Sequence, residues 1–236
     1  MSILFISDLH LSETQPQITE IFLRFLETTA REAEALYILG DFFEVWVGDD
    51  EKTALQVKIA EALSTLKDHH VPVYFMHGNR DFLIGKRFAR RANLRLLPDP
   101  SVIAPYGRNV LLVHGDAFCT DDLSYQRFRR KARNPLYQKL FLMLPLFLRR
   151  RIAHSMRRAS TNYINAAEHH IMDVNQDKLL RLAKQHDCNL IIHGHTHRPA
   201  VHQKEGITRA VLSDWHDHGH YLMLSQNHQI LMKHFS

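Results

Sequence analysis

Cysteine is scarce in this chain of 236 residues, which holds two, Cys119 and Cys188, and no Cys-x-x-Cys spacing. That excludes a disulfide framework and a cysteine-built structural zinc site, and it favours a reducing compartment. Long apolar runs are missing too. The longest, Leu140 to Leu148, is interrupted by Pro145 and is about half of the ~20 residues that a bilayer span needs. The N-terminal apolar run from Ile3 to Ile6 has neither a basic leader nor a small-residue cleavage site, so no secretory signal is read there and a cytoplasmic protein is expected. Nine glycines and eight prolines are too few for a collagenous or low-complexity chain, and 45% hydrophobic residues suffice for a core.

Acidic residues are absent from one stretch. Between Leu123 and Ala167 there are 11 basic residues and no acidic one, which leaves 19 basic against 25 acidic in the rest of a chain whose net charge is +5. The same stretch carries the most apolar run. Basic residues flanking an apolar helix are the makings of a segment that meets an anionic lipid surface, although a basic face over a buried helix would give the same pattern.

Short β-rich runs occur at Ile3 to Ile6, Leu36 to Leu39, Val71 to Met76, Val110 to Val113, Leu190 to Ile192, Ala210 to Leu212 and Tyr221 to Leu224. Ile18, Ile21, Phe22, Phe25 and Leu26, then Leu55, Ile59, Ala62, Leu63 and Leu66, follow the spacing of one helix face. Strand alternating with helix predicts an α/β layered fold. No strand-like run falls between Asp121 and Leu190, so residues 122–170 are read as a helical cap inserted between the core segments 1–121 and 171–236, with Pro135 and Pro145 dividing it into helices.

The chemistry lies where strands end. The runs terminate in Asp8-Leu-His10, Gly40-Asp41, Gly78-Asn79-Arg80-Asp81, His114-Gly-Asp116 and Gly194-His195-Thr-His197. One such ending is weak evidence, but five in order are not. Strand carboxyl ends in an α/β sheet converge on one crevice. Asp8, His10, Asp41, Asn79, His114, His195 and His197 would then meet there, and their carboxylates would repel one another without a cation. Mixed oxygen and imidazole donors suit divalent ions such as Mn²⁺, Fe²⁺ or Zn²⁺. Two such ions clamp a phosphoryl group and lower the pKa of a water, so phosphoester or pyrophosphate hydrolysis is expected. Asp81 and Asp116 are read as groups that orient the ligands. The glycines before Asp41, Asn79 and His195 fit turns where backbone approaches closely.

This set resembles the calcineurin-like metallophosphoesterases, a sandwich of β-sheets flanked by helices. The runs Phe5 to Leu11, Leu36 to Asp41, His77 to Leu83, Ile171 to Gln176 and Ile192 to Pro199 are similar in more detail to the UDP-2,3-diacylglucosamine diphosphatase family of lipid A synthesis. That resemblance implies cleavage of the pyrophosphate of a nucleotide glycolipid into UMP and 2,3-diacylglucosamine 1-phosphate, by attack of hydroxide on the α-phosphorus. It implies two Mn²⁺ ions, and a peripheral monomer on the cytoplasmic face of an inner membrane. It assigns one ion to Asp8, His10, Asp41 and His197, the other to Asp41, Asn79, His114 and His195, with Asp41 bridging.

Among these, Asp41, Asn79, Arg80 and His195 are the expected catalytic residues. Arg80 stands where many superfamily members have a His; a guanidinium cannot act as a general acid but can hold phosphoryl oxygens. The resemblance further assigns substrate contacts to Asn79, Arg80, Asp122, Tyr125, Arg157, Ser160 and His195. Phe128, Phe141, Leu146, Ile152 and Met156 are the apolar candidates for the acyl chains. Family members commonly carry a polar residue and then a Lys where this chain has Ile164 and Ala167, so a cation is missing from that loop. Nucleic acid is disfavoured as partner, because the cap's apolar residues are mainly aliphatic rather than the aromatics that stack on bases. The histidines in Trp215-His-Asp-His-Gly-His220 are read as a solvated turn.

Overall fold

A computed structural model describes residues 2–166 and 173–236, with residues 163–166 described by their backbone alone. The chain runs β1 (Ser2–Ile6), α1 (Pro16–Glu27), β2 (Ala35–Ile38), α2 (Ala54–Thr65), β3 (Val73–Met76), α3 (Lys86–Arg91), β4 (Leu94–Leu97), β5 (Ser101–Ile103) and β6 (Val110–Leu112). Then come α4 (Leu123–Ala132), α5 (Pro135–Leu142), α6 (Leu146–Ala166), α7 (Gln176–Gln185), β7 (Leu190–His193), β8 (Ala200–Lys204), β9 (Ile207–Val211), β10 (Gly219–Ser225) and β11 (Ile230–Phe235).

Two sheets form, one of order β11-β10-β1-β2-β3-β4 and one of order β5-β6-β7-β9-β8. β1 to β4 pair in parallel, as do β6, β7 and β9. Parallel strands buried on both faces read as unbroken apolar runs, which is why these strands were visible in the sequence. In β1 the pleat sends Leu4 and Ile6 toward α1 and α2, and sends Ile3 and Phe5 into the seam between the sheets. The seam is closed from the other sheet by Val110, Leu112, Leu190 and Ile192. Leu111, Val113 and Ile191 face outward and pack on Leu179, Leu180 and Ala183 of α7. The result is four layers, helix, sheet, sheet, helix. The donor-bearing strand ends therefore belong to two facing sheets, β1, β2 and β3 in one and β6 and β7 in the other, rather than to one open sheet.

Helix starts follow local chemistry. Thr53 and Gln56 form a reciprocal capping box at α2, Asn175 caps α7, and Asp122 caps α4 by accepting from the Tyr125 amide at 2.9 Å. α4 and α5 bury no residue. α4 is fastened to the body by ion pairs and hydrogen bonds instead. Buried Asp116 accepts from Arg129 Nε and from the Tyr125 hydroxyl, each at 2.8 Å, and Arg133 donates to the Gly78 carbonyl at 2.9 Å. Arg149 of α6, the first residue of the Arg149-Arg-Arg151 run, is buried and pairs with Asp50 and the Val47 carbonyl. Among the described residues no helix is long and apolar enough to cross a membrane.

Candidate metal centre and active site

The loops that follow β1 and β2 are zipped together by backbone hydrogen bonds, from the Asp8 amide to Gly40, from His10 to Asp41 and from Leu11 to Phe42. They place Asp8, His10 and Asp41 side by side, each in the left-handed backbone region, as are His195 and His197. That conformation costs a non-glycine residue about 1 kcal/mol or more, and five such residues gathered at one place mark a geometry fixed for function. Asp81 secures the neighbouring turn, because its carboxylate accepts from the amides of Gly78 at 2.8 Å and Phe42 at 2.7 Å. Its burial and the nearby Asp41 push its pKa up to about 6.

Two donor groups result. Asp8, His10 and His197 form one; Asp41, His114 and His195 form the other; within each group the ligand atoms lie within 4.8 Å of one another. In the first, Asp8 Oδ2 is occupied by the His195 amide at 2.9 Å, while Oδ1 is buried without a hydrogen-bond partner. Nε2 of His10 and Nε2 of His197 face each other at 3.5 Å, and the latter lies 3.4 Å from Asp8 Oδ1. The Nδ1 atoms point outward, that of His10 to Glu44 Oε2 at 3.1 Å and that of His197 to Asp214 Oδ2 at 3.0 Å. In the second group His114 Nδ1 donates to the Leu39 carbonyl at 2.8 Å, so its Nε2 is the free nitrogen, 3.0 Å from Asn79 Oδ1 and 3.6 Å from Asp41 Oδ1. Imidazoles anchored through one nitrogen and converging through the other, beside an orphaned carboxylate oxygen, are what a divalent cation requires.

The charges agree. Burial lowers the pKa of His114, but the carboxylates of Asp41, Asp116 and Asp8 outweigh it and push it up to about 9. His197, likewise opposed by burial, is pushed up to about 10 by Asp214 and Asp8. The carboxylate cluster therefore calls for positive charge at this place, which protons supply without metal and a cation supplies with it. Burial and the His114 cation hold His195 at about 4.

A cavity of about 580 Å³ opens beside the donors. Asn79, Arg80, Asp122, Tyr125, Arg157, Ser160 and His195 all line it, together with His10, Asp41 and His197. Arg80 is tied to Asp41 through its amide at 2.9 Å, and its Nε lies 3.9 Å from Asp41 Oδ2. The Tyr125 ring stacks on His195 with centroids 6.2 Å apart. Phe128, Phe141, Leu146, Ile152 and Met156 fall outside the cavity lining; Phe128, Ile152 and Met156 are exposed on the helices above it. Ala167 and the side chain of Ile164 lie outside the described residues.

Sequence reasoning missed Glu44 and Asp214, and read His216 as part of a solvated turn where the structure brings it into the cavity lining. Glu44 and His216 line the cavity, and Asp214 sits between His197 and His216, the latter at 2.7 Å. The signal for Glu44 was its position three residues after Asp41, on the segment that pairs with the loop carrying His10.

Residues 1–199 match the family model of the calcineurin-like phosphoesterases, and the chain belongs to that family. Two mixed sheets whose parallel strands share a rim of Asp, His and Asn are the form that family membership takes here, and the family and the two donor groups together support bound divalent metal ions. Within the family the chain groups with the UDP-2,3-diacylglucosamine hydrolases. It is 52% identical over 223 residues to the one of Shigella dysenteriae serotype 1, with 93% of each chain covered. The identity is the same, over the same coverage, to those of Escherichia coli (strain K12) and Yersinia pseudotuberculosis serotype O:1b. Solved structures share the fold at low identity. An archaeal phosphodiesterase superposes with a TM-score of 0.52 at 13% identity over 100% of both chains. Vacuolar protein sorting 29 from Cryptosporidium parvum does so with 0.50 at 14%, covering 100% of this chain and 97% of its own.

Proposed function

We propose that the chain hydrolyses UDP-2,3-diacylglucosamine to UMP and 2,3-diacylglucosamine 1-phosphate, at a membrane surface, in lipid A synthesis. The observation that carries this reading is a single cavity that joins two metal-type donor groups to the guanidinium groups of Arg80 and Arg157, beneath helices whose apolar side chains face outward. The hydrolase names of relatives at 52% identity support the substrate.

Asp8, His10, Asp41 and His197 would hold one ion, and Asp41, Asn79, His114 and His195 the other, with Mn²⁺ the ion proposed. Bound there, the ions would polarise phosphoryl oxygens and make a water nucleophilic at neutral pH. The protein's own groups do the rest. Arg80, fixed to Asp41, presents charge to the diphosphate, a role that in phosphoryl transfer can be worth on the order of 10³-fold. Arg157 places a second cation across the cavity, and Tyr125 packs on His195 and keeps it oriented. Asp122 is committed to capping α4, so it shapes the wall by setting where that helix begins.

Residues 122–170 act as a cap in this reading. Leu136, Tyr137, Leu140, Met143 and Phe147 are all more than half exposed, among Arg127, Arg130, Lys131, Lys139, Arg150 and Arg151. An exposed apolar surface rimmed by cations suits an anionic leaflet, and Phe128, Ile152 and Met156, exposed on α4 and α6, would guide the acyl chains.

The test is hydrolysis of UDP-2,3-diacylglucosamine with Mn²⁺ in water enriched in ¹⁸O. Label in UMP is expected, which establishes attack at the α-phosphorus. No turnover, with cleavage of a generic phosphodiester instead, would retain the metal centre and overturn the substrate.

A further inference from the structure

Three of the four imidazoles in the two donor groups turn one ring nitrogen outward to a protein oxygen, and the three partners differ in where they are held. His114 uses a main-chain carbonyl, and His197 uses Asp214 on the body of the protein. His10 faces Glu44, whose second oxygen is engaged by Arg157 Nε, a residue 113 positions away on α6. Arg157 is further braced by Thr161 Oγ1 at 3.1 Å. Glu44 is itself fixed, since its amide donates to the Leu11 carbonyl at 3.1 Å and Leu11 pairs with Phe43. A freely solvated surface pair would be worth little, but this carboxylate is only 26% exposed and both of its partners line the cavity.

We propose that Glu44 is a positioning residue serving both halves of the site. Through Oε2 it fixes the His10 ring with Nε2 toward Asp8 and His197, and through Oε1 it fixes the Arg157 guanidinium over the cavity. A neutral side chain cannot do both, because it must accept on each side. The first half stands on the donor geometry alone; the second rests on the proposed substrate, whose phosphate Arg157 would meet.

The test measures Mn²⁺ binding to chelator-stripped full-length protein by titration calorimetry, then KM and kcat on UDP-2,3-diacylglucosamine, for Glu44→Ala, Arg157→Ala and the double variant. Loss of a carboxylate behind a metal-ligating His costs on the order of tenfold or more in metal affinity, so Glu44→Ala should weaken Mn²⁺ binding by about that factor while Arg157→Ala stays within about twofold of the parent. In KM, Arg157→Ala should cost much less in the Glu44→Ala background than alone, because the guanidinium has already lost its anchor. Unchanged Mn²⁺ affinity in Glu44→Ala would overturn the first half. Fold-losses in KM that simply multiply would overturn the second. Should Glu44→Ala fail to fold, Glu44→Gln keeps the packing and offers an acceptor to one side only, so it carries the same comparisons. If the glycolipid is not turned over at all, the calorimetric arm still decides the first half.

Discussion

Replacing Gly194 with Ala adds one methyl group at a crowded point of the metal centre. A Cβ at that position would lie 2.2 Å from Asp8 Oδ2 and 2.3 Å from Ser7 Oγ. Neither can yield cheaply, since Ser7 and Asp8 are fully buried and Asp8 Oδ2 already accepts from the His195 amide at 2.9 Å. Restoring an ordinary contact requires a shift of about 1 Å, and misplacement by that amount can cost about 10²-fold in rate. Overpacking of this kind costs about 1–3 kcal/mol of stability. The expectation is therefore a protein that folds, with Tm lowered by several degrees, weakened Mn²⁺ binding, and kcat/KM down by about two orders of magnitude. Gly206→Ala is the control. Gly206, at the β8–β9 turn, has φ +76 but open space around its missing Cβ, so the substitution carries backbone strain of about 1 kcal/mol and no effect on turnover. Calorimetry, thermal melts and steady-state kinetics on the two variants separate crowding at the centre from general strain. A Gly194→Ala enzyme within threefold of the parent in kcat/KM would refute the claim that this turn sets the position of Asp8.

Asp41→Ala removes the carboxylate proposed to serve both ions and should abolish turnover; retention of a tenth of the parent rate would argue against a centre built on it. Metal-free protein should lose stability as pH rises. His114 at about 9 and His197 at about 10 sit above the unfolded value of roughly 6.5, so their contribution is complete below that value and disappears as pH climbs through 9 and 10. His193 and His195, both held down at about 4, withdraw stability as pH falls below 6.5, so a melting maximum near neutrality is expected and a flat profile from pH 7 to 10 would contradict it. Asp116→Ala removes the shared acceptor of Arg129 and Tyr125, leaving Arg129 only Asp99 at 3.6 Å and Arg133 its carbonyl partners, and should cost about 1–3 kcal/mol in urea denaturation, with faster tryptic cleavage after Arg127 and Arg130. Replacing exposed Arg127, Arg130, Lys131 and Lys139 with Gln should weaken sedimentation with phosphatidylglycerol vesicles while leaving kcat on detergent-dispersed substrate within about twofold; unaltered vesicle binding would remove these cations from the membrane face.

The core was legible because its strands are buried on both faces, so each reads as an apolar run ending in a polar turn. β4, β5, β8 and β11 were not, and their burial explains it. Arg95 of β4, Val102 of β5, most of β8 and alternate residues of β11 face solvent, which leaves no unbroken run to find. The seven metal-type donors could be picked out one strand end at a time, because each is local to its strand. Which donors share an ion depends on how two sheets face each other, and nothing in the order of residues along the chain states that.

The helical stretch shows the same limit from the other side. Its eleven basic residues look alike in sequence, yet the structure divides them by partner. Arg129 and Arg133 reach Asp116 behind His114, Arg149 reaches Asp50, and Arg157 reaches Glu44 beside His10, while Arg127, Arg130, Lys131 and Lys139 remain exposed. The acidic partners come from segments 13 to 113 residues away, so no local charge count could sort them. One group of arginines fastens the helices to the edge of the metal centre and the other gives the outer surface its charge. The pairs to Asp116, Asp50 and Glu44 hold Tyr125 and Arg157 in the cavity wall, which is the arrangement the proposed cap needs if the wall is to be preorganised for substrate.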